Sequence, residues 1–414
     1  MCVERDEQMS SPGDLLTPTV FFSDEQASHY AQLERTQQRG IVVLPSLALD
    51  DGMLLAPAPI AYETWGTLNA AAGNAILLCH ALTGDAHACD EQAPDDPCAG
   101  WWNPLVGPGR VFDTRRFFVV CSNILGSCYG SDGPTSPHPT DGQPYRLRFP
   151  LVSVGDMVRA QRALLARLGV KRLAAVAGGS LGGLQALEWA LAFPEMLERA
   201  IVIAASPRLS AQGLAIDTIA RQAIMSDPAW QDGAYPPGAG PTAGLGIARM
   251  LGMLTYTSAE GLEARFGRRL ATRASPFPSF GPRLDIETYL LHQGEKLVRR
   301  FDANSYLYLS SAMDRYDAAV GPGRGSDAAA FARIQAEVLA VGIDSDWLYP
   351  ARQMRELAEG ISKAGGRACS AELYSPHGHD AFLKEWEQLD ALLRPFLAAP
   401  VQQGYQELHT LQQH

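Results

Sequence analysis

Ala174-Ala-Val-Ala-Gly-Gly-Ser-Leu-Gly-Gly183 is the stretch whose reading decides the fold. Leu173 to Ala177 is a short apolar run of the kind that forms a buried strand, and Leu181 to Phe193 repeats apolar residues with the period of a helix. Between them, Gly178, Ser180 and Gly182 spell G-x-S-x-G at a strand-to-helix junction, the setting in which that motif carries a nucleophile. Such a turn strains its central residue. Glycines two places before and after it let strand and helix pass closely, and the helix N-terminus faces negative charge developing on a bound oxygen. We therefore expect Ser180 to be a nucleophile, the plain alternative being an inert serine in a glycine-rich turn.

Working outward, other apolar runs bounded by Gly, Pro or Asn read as strands: Ile41 to Leu44, Ile60 to Thr64, Ala75 to His80, Phe117 to Cys121, Ala200 to Ala205, Val338 to Ile343 and Ala371 to Tyr374. Most are apolar throughout rather than alternating, as strands covered on both faces are. Helical patterns at Val154 to Leu168, Leu181 to Phe193 and Tyr349 to Gly360 separate several of them, so the spacing predicts an α/β fold with a mainly parallel central sheet flanked by helices. From about Pro207 to about Tyr316 strand signals give way to helical periodicity. The organisation expected is a core over 38–206 and 317–400, a helical lid insertion over 207–316 near the carboxyl edge of the sheet, and polar tails at 1–37 and 401–414.

A serine hydroxyl is a weak nucleophile until a neighbouring base, itself held by a third group, takes its proton. In this architecture the order along the chain is Ser, then an acid, then His. The strand ending at Ile343 runs into Asp344-Ser-Asp346, and the strand ending at Tyr374 runs into Ser375-Pro-His377-Gly-His379, so each partner falls in a loop on the same sheet edge as Ser180. Asp346 competes with Asp344, and His379 with His377. Asp346 could also cap the helix before Tyr349, and His379 could be an ordinary hydrogen-bonded loop histidine. An oxyanion site needs two backbone N–H donors: the residue after the nucleophile, Leu181, and one in the loop after Ala75 to His80, for which we take Leu82.

The composition agrees with a large globular core: 414 residues, 46% hydrophobic and 19% charged. Lys plus Arg number 34 against 45 for Asp plus Glu, and the formal charge of −11 argues against a general nucleic-acid or anionic-lipid binder and for a small-molecule partner. No apolar run approaches the roughly 18 residues that span a bilayer. The start MCVERDEQMSS has neither the basic nor the apolar segment of a signal peptide, so a cytoplasmic location is expected. Seven cysteines without framework spacing read as buried thiols, and no clustered metal-ligand pattern is present, so no metal is expected.

Seven segments in order carry a family resemblance: YETWGTLN (62–69), CHALTGDAHA (79–88), GWWNPLVGPGRVFDTRRFFVVCSNILGSCYGSDGP (100–134), GGSLGGLQALEW (178–189), ARQAIMSDP (220–228), RRFDANSYLYL (299–309) and GHDAFL (378–383). Over about residues 38 to 398 the chain resembles the homoserine O-acyltransferases of the α/β-hydrolase superfamily. The resemblance implies a cytoplasmic, usually homodimeric enzyme of methionine biosynthesis that moves an acyl group, commonly acetyl and in some members succinyl, from coenzyme A to L-homoserine. It implies no permanently bound cofactor, with acetyl-CoA as co-substrate. It selects Ser180, Asp346 and His379 as the triad, and Arg221 and Asp380 as substrate-binding residues. On physical grounds Arg221 belongs to a helix whose apolar positions include Leu214, Ala215, Ile219 and Ile224, and its guanidinium there needs an acidic partner. That partner is either the substrate carboxylate or Asp217, four residues earlier. Asp380 either accepts the substrate ammonium or caps the helix that follows.

Overall fold

Each apolar run named above is a strand. The computed structural model describes residues 36–96, 99–271, 281 and 283–398. In chain order the strands are β1 (Gln38–Leu44), β2 (Leu47–Ala48), β3 (Leu54–Leu55), β4 (Ala58–Trp65), β5 (Ala75–Cys79), β6 (Phe118–Ser122), β7 (Leu173–Gly179), β8 (Arg199–Ile203), β9 (Glu337–Ile343) and β10 (Arg367–Leu373). β2 and β3 form a small ladder of their own, and the other eight make one sheet in the order β1-β4-β6-β5-β7-β8-β9-β10. The β1–β4 and β4–β6 pairings are antiparallel, and β6 through β10 run parallel. Every residue of β5, β7, β8 and β9 is buried, which is why these runs lack alternation.

Alternate residues of the central strands feed two apolar layers. On one side Leu77 and Val176 join Leu164, Leu187 and Leu357, from helices α1 (Val154–Arg167), α2 (Leu181–Ala192) and, later in the chain, Ala351–Lys363. On the other side Ile76, Leu78 and Ala177 join Leu393 and Phe396 of the C-terminal helix Trp386–Ala398. That last helix has no counterpart in the sequence reading; Pro395 within it interrupts the pattern. Between β8 and β9 the chain forms α3 (Ala211–Met225), α4 (Thr242–Thr255), α5 (Ala259–Arg265), α6 (Asp285–Val298), α7 (Ala303–Asp314) and the short α8 (Asp327–Phe331); α9 (Ala351–Lys363) and α10 (Trp386–Ala398) follow.

Two boundaries differ from expectation. β10 begins at Arg367, four residues before Ala371, because Ala368 and Cys369 are buried beneath an otherwise polar stretch. The expected tails at 1–37 and 401–414 lie outside the described residues except for Thr36 and Gln37, whose backbone N–H groups donate to Glu91 Oε2 at 2.8 and 2.9 Å. Four of the described cysteines are buried and one is half-buried, all as free thiols. No described helix is long and apolar enough to cross a membrane.

The helix that follows Ser180 is anchored by charge. Glu188 of α2 accepts from Arg324 at 2.7 and 2.8 Å, with both side chains at least nine-tenths buried. Arg324→Leu strands the carboxylate away from water, and the expected loss is about 3–5 kcal/mol of unfolding free energy. A urea-midpoint change worth under 1 kcal/mol in this variant would contradict the anchoring role.

Candidate active site

Ser180 is the N-cap of α2, with φ 58° and ψ −125°, a left-handed conformation that a β-carbon disfavours. The strain is held by the surroundings. The Ser180 N–H donates to Ile203 O of β8 at 3.0 Å, and Ser180 O accepts from Leu184 N–H at 3.0 Å. The two motif glycines are required by space: a β-carbon on Gly182 would lie 2.0 Å from Cys79 O, and one on Gly178 would lie 2.4 Å from Gly182 O. The crossing thus presses the first turn of α2 against the end of β5.

The loops after β9 and β10 bring Asp346 Oδ2 within 2.6 Å of His379 Nδ1. Asp346 Oδ1 accepts the N–H groups of Leu348 and Tyr349 at 2.8 and 2.9 Å, so backbone donors fix the carboxylate from the other side. Its competitor Asp344 instead accepts from the N–H of Ser345 and of Ser375 and braces the two loops together. His377, with a 46% exposed side chain, lies 4.0 Å from Glu385. His379 is 2% exposed and is walled by the rings of Tyr349, Phe382 and Tyr256 at 5.4, 5.7 and 5.9 Å. Burial by itself would lower its pKa, but the charge and hydrogen bond of Asp346, aided by Asp380, leave it above the ordinary imidazole value. Its Nε2, the atom a neighbouring hydroxyl needs, is buried with no partner among the described residues.

Ser180 and Leu82 line a common chamber. Tyr256, Tyr306, Tyr349 and Asp217 line it too. Leu181, the first residue of α2, is fully buried. The inserted helices supply Asp217, Tyr256 and Tyr306, none of which the sequence reading singled out as a wall of the site. An aromatic residue or an acid at helical spacing carries no sign of which cavity it faces, so no local pattern could have found them.

Arg221 is placed differently from the helical pairing weighed above. Its ion-pair partner is Asp314, at the end of α7 and 93 residues away, at 2.5 Å. Asp217 instead lies against Asp314, and burial first, then the Asp314 charge, pushes its carboxyl up to about 8. Arg221 Nη1 is buried and without a partner among the described residues. Asp380 falls in the short 3-10 turn Gly378–Leu383; its N–H donates to Tyr256 O at 3.0 Å and its carboxylate is 3.6 Å from Lys384 Nζ. Among the described residues no cluster of three or more His, Cys, Asp or Glu could hold a metal ion.

A family profile for the alpha/beta hydrolase fold matches residues 74–385. The chain is 48% identical over 358 residues to a homoserine O-acetyltransferase of Carboxydothermus hydrogenoformans, covering 86% of this chain and 94% of the relative. It is 50% identical over 351 residues to one of Moorella thermoacetica, covering 85% and 93%. Among solved structures, homoserine O-acetyltransferase from Bacillus anthracis matches with a TM-score of 0.82 at 28% identity, over 88% of this chain and 99% of that one. Esterase E22 matches with a TM-score of 0.79, also at 28% identity, over 87% and 100%.

A base with a raised pKa must lose its proton before it can act, so activity present above that pKa disappears as pH falls through it. Release of p-nitrophenol from p-nitrophenyl acetate is therefore expected to decline on the acid side with a midpoint above about 6.5. Asp346→Asn should move that midpoint down and reduce the rate by about 10⁴-fold. A wild-type midpoint below 6, or an unmoved one in the variant, would count against His379 as the base.

Proposed function

The chain belongs to the homoserine O-acetyltransferase family of the α/β-hydrolase fold, and on that premise we propose that it transfers an acetyl group from acetyl-CoA to the hydroxyl of L-homoserine through an acyl-serine. The single observation that best supports a transferase is the burial of the reacting groups: Ser180 is 6% and His379 2% exposed. Water competes for every acyl-enzyme, and a chamber that admits little of it favours a bound alcohol.

In this reading His379 Nε2 takes the proton from Ser180 Oγ as the oxygen attacks the thioester carbonyl. The backbone N–H groups of Leu82 and Leu181 hold the negative oxygen of the tetrahedral adduct. The adduct collapses, the C–S bond breaks, and His379 returns the proton to the departing thiolate of CoA. Homoserine then enters, His379 accepts the proton of its hydroxyl, and that oxygen attacks the acyl carbon to displace Ser180 Oγ, which regains the proton. The Asp346 carboxylate stabilises the imidazolium that forms twice per cycle. CoA is a co-substrate, and the reaction needs no permanently bound cofactor.

Arg221, with one guanidinium nitrogen unoccupied, is assigned to the homoserine carboxylate, and Asp380 to its ammonium. The helices of 207–316 are the lid that walls the chamber. A homodimer completes the reading, supported by apolar side chains left exposed on three lid helices: Leu214 and Ile219 on α3, Ile247 and Leu254 on α4, and Leu291 on α6. The cytoplasm, where acetyl-CoA and free thiols coexist, is its place.

Mixing enzyme with acetyl-CoA alone should release about one equivalent of CoA and then slow sharply, with steady turnover restored by L-homoserine. Rapid, continuous CoA release without any acceptor would instead favour an esterase like the structural neighbours. Ser180→Ala should abolish both phases. Arg221→Ala should leave the first equivalent intact and raise the KM for homoserine about 10- to 100-fold, the worth of one charged hydrogen bond; an unchanged KM would remove Arg221 from the acceptor site.

A further inference from the structure

His80, the residue after β5, is fully buried, and the mechanism above does not use it. Its two ring nitrogens are spoken for. Nδ1 lies 2.8 Å from Ala81 O, and Nε2 accepts the Ile124 N–H at 3.2 Å. A carbonyl can only accept and an amide N–H can only donate, so these partners admit one form of the ring: neutral, with the proton on Nδ1. Burial, the strongest influence, also holds the ring below its ordinary pKa against the opposing pull of the Ala81 carbonyl, Asp85 and the Asn123 side chain. The imidazole thereby joins the loop after β5 to the loop after β6.

The carbonyl it grips belongs to the same peptide unit as the Leu82 N–H. That unit is planar and trans, so its C=O and N–H point in opposite directions. Fixing the oxygen from behind fixes the direction in which the Leu82 N–H points. Ala81 O is held twice, since Gly84 N–H also donates to it at 3.0 Å. A β-carbon at Gly84 would come within 3.0 Å of His80 Cβ, so the turn and the ring are packed as one piece. One residue back, His80 O accepts from Gln185 Nε2 at 3.3 Å, and the same nitrogen donates to Leu181 O at 3.1 Å. Gln185 in turn is held by Gln161, and Gln161 by Trp189, each at 2.7 Å. The loop bearing Leu82 and the helix turn bearing Leu181 are therefore tied through one buried amide.

We propose that His80 is a positioning residue for the oxyanion hole: its neutral imidazole locks the Ala81–Leu82 peptide so that the Leu82 N–H meets the negative oxygen of the tetrahedral adduct. The inference rests on the acyl-serine reading and on Leu82 as the second donor. A hydrogen bond to the carbonyl also polarises the amide and strengthens its N–H as a donor. Losing the lock leaves the donor present but free to rotate, an effect below the about 10²- to 10³-fold of deleting a donor outright.

The test compares wild type, His80→Ala and His80→Asn by stopped-flow acylation with p-nitrophenyl acetate, together with the affinity of a boronic acid that forms a tetrahedral anion on Ser180. His80→Ala should acylate about 10- to 100-fold more slowly at unchanged ester KM, and the boronate should weaken by a similar factor. His80→Asn keeps a donor near the Nδ1 position and gives up only the Ile124 contact, so it should recover most of the rate. Acylation by His80→Ala within two-fold of wild type would overturn the proposal, as would a slow variant that binds the boronate as tightly as wild type. Should His80→Ala not fold, a folded His80→Asn that acylates more than ten-fold slowly would overturn it as well. Failure of wild type itself to form an acyl-serine would instead overturn the reading on which the proposal rests.

Discussion

The site depends on one steric constraint: the backbone of Gly182 passes so close to the carbonyl of Cys79 that no side chain fits between them. That approach brings the first turn of α2 against the end of β5. It places the amide of Leu181 near the loop that carries Leu82, and it leaves Ser180 in a left-handed conformation that only its neighbours can maintain. The apolar strands on either side, β5 and β8, are fully buried and supply the rigidity against which this strain is held. Strand, turn and helix thus form a single stiff unit. The base and its acid arrive from the far end of the chain on loops that need only dock to it.

The docking is done by hydrogen bonds between backbone and carboxylates. Asp346 uses one oxygen for two amides and the other for His379, so its position is fixed before the imidazole is. Asp344, two residues earlier, has a different task, since it ties Ser375 to the loop after β9 and holds the two loops side by side. A neighbouring pair of acids divides the work of orienting the base and of bringing its loop within reach.

This division shows where sequence reading stops. The strands could be read because burial on both faces leaves a signature, as in Ala75 to Cys79, and the nucleophile could be read because the glycines around Ser180 are demanded by local geometry. Asp344 and Asp346 follow the same strand by one and three residues, and spacing cannot tell which carboxylate will meet a ring 33 or more residues further on; the family resemblance favoured Asp346. The partner of Arg221 was beyond reach for the same reason, because a contact between α3 and α7 depends on how inserted helices pack. The chamber walls, Tyr256 and Tyr306 among them, come from that packing too. Periodicity marks a helix as amphipathic without naming its neighbour.

The chamber wall has a consequence for any hydroxyl bound against it. No lysine or arginine is among its lining residues within the described chain, whereas Asp217 and three phenols are. Burial raises all three phenols, so near neutrality they stay uncharged and offer hydrogen-bonding dipoles. The charges of Arg249 and Arg221 reach these phenols from residues outside the lining, Arg249 acting on Tyr256 and both on Tyr306. A wall of hydroxyl groups that keep their protons near neutrality can orient a bound alcohol by hydrogen bonding without giving up a proton to it.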